Sequence, residues 1–174
     1  LAVITTLIKE NDIVFSDEFN HASLIDAIRL TRAHSSVYRH RDTRHLAAGL
    51  AKLNRTDRQK QRYIITDAVF SMDGDCAPLA EIVRLARQYR CHIIVDEAHA
   101  TGVLGKHGRG LEEQLNIEAK IDISLGTLSK AAGVIGGFVT GAKNFIAYLR
   151  SKGRPFIFTT ALPPPACASA IEAI

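Results

Sequence analysis

The sequence predicts an α/β fold of three layers, with helices on both faces of a mostly parallel sheet. Three observations predict it. Short β-branched runs alternate with helical stripes along the whole chain. Ile93, Ile94 and Val95 run straight into Asp96 and Glu97, as a buried parallel strand does when it delivers charge to a sheet's carboxyl edge. Leu79, Ile82, Val83 and Ala86 recur at i, i+3, i+4 and i+7, one face of a helix packed on such a sheet.

Taken in order, residues 1–8 read as the tail of an apolar helix, and 13–15 as a short strand followed by Ser16, Asp17, Glu18, Phe19, Asn20 and His21. A helix is expected over 22–33, with Leu24, Ile25 and Ile28 on one face and Asn20 or Ser23 as its cap. Val37 and Tyr38 form a weak strand. Thr43 opens a second helix with Leu46, Ala47, Leu50, Ala51 and Leu53 inward, and the basic stretch 54–62 reads as a surface connection. A strand at 63–66 leads into 68–75, rich in turn formers, and Pro78 suits a helix's first turn. Strands at 92–96 and 121–125 flank a glycine-rich loop at 102–110 and a short helix near 111–115. A strand at 138–140, a helix over 143–151, the apolar segment 156–158 and the prolines 163–165 follow. The end, 168–174, again reads as helix, so the sequence is expected to be an internal piece of a longer protein.

With 174 residues, 47% of them apolar, the chain can bury one domain's core. Its 22 basic and 18 acidic side chains leave a net charge of +4, but the basic residues are scattered and no aromatics interleave with them, which argues against a nucleic-acid surface. Cys76, Cys91 and Cys167 form no C-x-x-C pair and are odd in number, so neither a disulfide framework nor a zinc site is expected, and no metal ligands are assigned. No apolar run reaches the length of a membrane span, and the opening lacks a signal peptide's pattern. A cytoplasmic protein is expected.

Two stretches carry the chemistry. Asp96 and His99 stand at one strand end, and Lys130 stands just beyond the next, so an acid, an imidazole and an amine reach one sheet edge, where open α/β folds bind ligands. This set suits pyridoxal phosphate, which needs a lysine to hold it as a Schiff base and a carboxylate to keep its pyridine nitrogen protonated. Blander readings exist for each residue alone: a solvated loop lysine, a hydrogen-bonded core histidine, and for His21 a residue at a helix cap. His34, His40, His45, His92 and His107 show no ligand spacing and are read as structural or exposed. Asp96-Glu97-Ala98-His99 is also spelled like the magnesium box of DEAH helicases, but the phosphate-binding loop G-x-x-x-x-G-K-[ST] is not present in this sequence.

The stretches 16–26, 69–74, 96–102, 126–130 and 156–164, in this order and spacing, resemble the α-oxoamine synthases, fold-type-I pyridoxal phosphate enzymes. The resemblance implies that Lys130 holds the cofactor, Asp96 pairs with its pyridine nitrogen, and His21 stacks on its ring. It places His99 and Ser71 near the phenolic oxygen and Thr127 at the phosphate, with Thr160, or its neighbour Thr159, reaching the phosphate of a second subunit of a homodimer. Residues 1–174 would be the central part of the cofactor-binding large domain, with an upstream segment and a downstream small domain outside it, and this piece alone inactive. The implied reaction is an acyltransfer that condenses L-alanine with a pimeloyl thioester, on coenzyme A or an acyl carrier protein, to give 8-amino-7-oxononanoate for biotin synthesis. Glycine with an acetyl thioester is the alternative substrate pair, and a non-catalytic scaffold the alternative from another class. Ala27 and Ala68 stand where such enzymes usually have glycine, which is expected to tighten turns there.

Overall fold

The computed structural model describes residues 1–53 and 60–174; residues 54–59 of the expected basic connection lie outside the described residues. Among the described residues six strands form one sheet: β1 (Ile13–Asp17), β2 (His34–Tyr38), β3 (Arg62–Asp67), β4 (His92–Asp96), β5 (Ile123–Thr127) and β6 (Gly137–Gly141). Their order is β2-β1-β3-β4-β5-β6. All neighbours are parallel except β6, which returns antiparallel to β5. The chain steps from β1 outward to β2 and then crosses back to β3 on the other side of β1, so the order of connection reverses there. That reversal opens a crevice at the carboxyl edge.

Alternation along the strands divides the core in two. Ile13, Phe15, Ile64, Ile93 and Val95 face α3 (Thr43–Ala51), α4 (Leu79–Tyr89) and α5 (Leu111–Gln114) through Leu46, Leu50, Ile82 and Leu111. Val14, Ile65, Ile94 and Ile123 face α1 (Ala2–Leu7), α2 (Ala22–Thr31) and α6 (Lys143–Lys152) through Ile4, Leu24, Ile28 and Leu149. The three expected layers are present. Each fully buried Leu, Ile or Val contributes roughly 1.5–3 kcal/mol of transfer free energy.

Several boundaries differ from expectation for visible reasons. The fifth strand starts at Ile123, not 121, because the Asp122 carboxylate accepts the Ile93 amide at 2.8 Å and so closes the sheet's amino edge with a side chain. The cap of α2 is His21, whose Nδ1 accepts from Ser23 N at 3.2 Å. Asn20, expected as a cap, turns inward instead, where its amide donates to Ile65 O at 2.8 Å. Ala27 packs fully buried inside α2, not in a turn. The segment around 156 coils into α7 (Arg154–Ile157), with Pro155 near its start, and α8 (Pro164–Ala173) begins on the prolines, whose missing amide hydrogens cost nothing in a first turn. No helix among the described residues is long and apolar enough to cross a membrane.

Candidate active site

Three parallel strands end alike. Asp17, Asp67 and Asp96 close β1, β3 and β4 at the carboxyl edge, with Asp67 and Asp96 in direct register. Beside them lies a pocket of about 360 Å³, within the size range of small-molecule sites. His21, Asp96, His99, Thr127 and Lys130 all line it. Residues from α2, β4 and the β5–β6 connection thus meet across more than one hundred positions of sequence.

The Asp96-Glu97 pair is divided by the end of β4. Asp96 faces the pocket, its Oδ1 held by the Ala98 amide at 2.9 Å. Glu97 points the other way and is buried, accepting Leu111 N at 3.0 Å and Glu112 N at 2.9 Å at the start of α5. Burial raises its pKa, an effect partly offset by those two amides. Glu97 is therefore committed to the fold, and Asp96 is the acid of this pair that lines the pocket. Burial also lowers the pKa of His99, helped by the nearby Lys130 charge and opposed by Asp96, so its imidazole is neutral at pH 7 and keeps both a donor and an acceptor nitrogen.

Lys130 is held by backbone on both sides. Thr127 Oγ1 accepts from Ser129 N at 3.2 Å and donates to Gly136 O at 3.1 Å, while Lys130 O accepts from Gly133 N at 3.0 Å. Gly126 sits directly under the Phe138 ring, which a Cβ would meet at 2.2 Å, so the pocket's floor is a glycine roofed by an aromatic. Against the turn that follows Lys130 packs Gly102, at φ +79°, where a Cβ would lie 2.6 Å from Ala131 Cβ. Gly102→Ala is expected to cost about 2–4 kcal/mol, from left-handed strain plus overpacking. Thermal melting checks it, and an unchanged melting temperature would remove the packing argument.

Two expected site residues do not line the pocket. Ser71 is exposed in the turn closed by the isolated Val69–Cys76 bridge, and Thr160 is exposed after α7. Conversely, Asp67 and Phe138 line it and were not singled out in the sequence. The strand expected at 63–66 stops one residue short of Asp67. A signal was present, since Ser16-Asp17, Thr66-Asp67 and Val95-Asp96 each end a strand with an acid. Burial raises the Asp67 carboxyl to about 7; the His21 amide and Lys130 pull it down, and Asp96 and Asp17 push it up.

A doubly wound sheet with an acid, two imidazoles and a lysine at its carboxyl edge defines a class, and the sequence agrees: the chain belongs to the family Aminotransferase class I and II, whose pattern matches residues 1–174. Within it, the chain is 50% identical to an 8-amino-7-oxononanoate synthase of Thermoanaerobacter pseudethanolicus, over all of this chain and 44% of that protein. A serine palmitoyltransferase from S. paucimobilis, solved with a bound PLP–myriocin aldimine, superposes with a TM-score of 0.92 at 35% identity, covering 98% of this chain and 42% of that one. An 8-amino-7-oxononanoate synthase from Francisella tularensis superposes with a TM-score of 0.83 at 34% identity, covering 99% and 48%. The resemblance to the α-oxoamine synthases holds. The chain spans less than half the length of these relatives.

Proposed function

We propose that this chain is the central part of the cofactor-binding large domain of a pyridoxal phosphate-dependent acyltransferase. The whole enzyme condenses L-alanine with a pimeloyl thioester to 8-amino-7-oxononanoate. The observation that carries the reading is the meeting of His21, Asp96, His99, Thr127 and Lys130 around one pocket, in a chain 50% identical to a synthase of that name. The donor set fits the cofactor: an amine for its aldehyde, a carboxylate for its ring nitrogen, imidazoles for its ring and phenolic oxygen, and a hydroxyl for its phosphate.

When bound, the cofactor supplies an electron sink for the carbanion formed at the amino acid's α-carbon. Lys130 would hold it through its amine and, as a free amine, would carry the α-proton without further positioning. Asp96, held by the Ala98 amide, would keep the ring nitrogen protonated. The His21 ring would cover one face and limit water, and His99 would hydrogen-bond beside it. Ser71 and Thr160 act, in this reading, from a neighbouring turn and across a homodimer. The partners are the amino acid and the acyl thioester, and the enzyme works in the cytoplasm.

Borohydride reduction of the full-length protein with pyridoxal phosphate, followed by peptide mass mapping, tests the anchor; the adduct is expected on Lys130. Product analysis with alanine or glycine against pimeloyl and acetyl thioesters then tests the substrates. No adduct in the folded, full-length protein would sink the enzyme reading in favour of a scaffold, and a preference for glycine would move it to the acetyltransferase.

A further inference from the structure

Asp67 has no role in the chemistry above, yet it is among the best-connected residues at the pocket. It is 4% exposed. Its Oδ2 accepts the His21 amide at 2.6 Å, and its own amide donates to Asn20 Oδ1 at 2.9 Å. Asn20 Nδ2 donates in turn to Ile65 O at 2.8 Å and to Ser16 Oγ at 2.9 Å. These bonds span the gap between β1 and β3 at the point where the connections reverse, and tie the start of α2 to the end of β3. The His21 ring is steered separately, through Ser23 Oγ at 2.9 Å from Nδ1. Ring and backbone of His21 are thus fixed by different partners, and Asp67 holds the backbone.

We propose that Asp67 is the positioning residue for His21, its carboxyl oxygen fixing the backbone from which the imidazole covers the pocket. The proposal rests on the reading of His21 as a cofactor-contacting residue. The groups facing Asp67 are Asp96 from β4, Asp17 from β1, Lys130 from the β5–β6 connection and His21 at the head of α2. Burial raises the Asp67 carboxyl to about 7, and whether ionised or protonated it keeps an oxygen that accepts the His21 amide. The site therefore needs an acceptor at this position more than a charge.

The test is a double-mutant cycle on the full-length protein, read as the dissociation constant for pyridoxal phosphate by absorbance titration of the apoprotein. Asp67→Ala is expected to weaken binding about tenfold, the loss of one strong hydrogen bond. Asp67→Asn, which keeps an acceptor oxygen in nearly the same shape, is expected to stay within about threefold of wild type. On a His21→Ala background, Asp67→Ala should cost nothing further, because contacts acting through one another are not additive. Equal losses from Asp67→Ala on both backgrounds would overturn the proposal, since a merely structural acid acts whether or not the ring is present. His21→Ala without effect on binding would instead overturn the reading beneath it, and the proposal with it. Melting curves of all five proteins accompany the titrations, and Asp67→Asn keeps the comparison open should Asp67→Ala not fold.

Discussion

Lys130→Ala in the full-length protein is expected to abolish covalent capture of pyridoxal phosphate and to lower turnover by about 10⁴-fold or more, since in the proposed function one change removes both the nucleophile and the proton carrier. Of the other pocket residues, Asp96, His99 and His21 come from other segments, and the Thr127 hydroxyl is held by the Ser129 amide and Gly136 carbonyl independently of the lysine side chain. Non-covalent affinity should therefore survive in part, so that the loss appears in turnover more than in cofactor binding. Lys130→Arg separates charge from nucleophilicity. A guanidinium stays protonated and cannot attack an aldehyde, so it should be as inactive as alanine although it preserves the positive charge beside Asp67 and His99. Borohydride trapping and steady-state turnover measure the two effects separately. A Lys130→Arg protein with more than about a tenth of wild-type turnover would mean that the lysine serves as a charge, and the assignment of Lys130 as anchor would be wrong.

The features of the site that repeat a local pattern were legible in the sequence. An apolar β-branched run ending in Asp96, with His99 three residues on, announces a strand end, and the turn after β5 announces Lys130 in the same way. Interactions that depend on register between distant strands were not legible. Asp67 matters because it lies opposite Asp96 and against the His21 amide, and neither neighbour can be read from the residues around it. His40, read as structural or exposed, is structural, but its carboxylate partners Asp17 and Asp75 lie far away in sequence and could not be named from the residues around it. The start of β5 was misplaced because Asp122 looks like a strand residue, whereas its carboxylate does the work of a backbone acceptor. Side chains that substitute for the main chain defeat a reading based on periodicity.

His40→Ala is expected to destabilise the protein by about 2–3 kcal/mol, below the usual cost of breaking a buried ion pair because solvent reaches the cluster. The ring's Nδ1 lies 2.9 Å from Asp17 Oδ1 and its Nε2 3.1 Å from Asp75 Oδ2. When protonated, the ring donates from both nitrogens to these two carboxylates, and it is stacked on Phe19 at 4.3 Å and meets the edge of Phe70 at 4.4 Å. Burial works against that charge, but the hydrogen bonds to Asp17 and Asp75 outweigh it and raise the His40 pKa. On Asp75 burial acts upward, and the bonds from His40 and Arg41 bring the carboxyl below its ordinary value. The two shifts act on opposite sides of the pH scale. The raised His40 contributes stability that is complete below its unfolded value of about 6.5 and is lost as pH rises through the folded value. The lowered Asp75 contributes above its unfolded value of about 3.9, and that part is lost as pH falls through its folded value. The cluster is therefore strongest between about pH 4 and 6.5. Melting temperatures of wild type and His40→Ala should differ most at pH 5.5 and converge toward pH 9. A difference independent of pH would show that the ring packs between Phe19 and Phe70 without carrying charge. Because Asp75 closes the turn that holds Ser71, and Asp17 ends β1 ahead of His21, loss of the imidazolium should loosen that turn and the His21 side of the pocket while leaving the Lys130 turn in place.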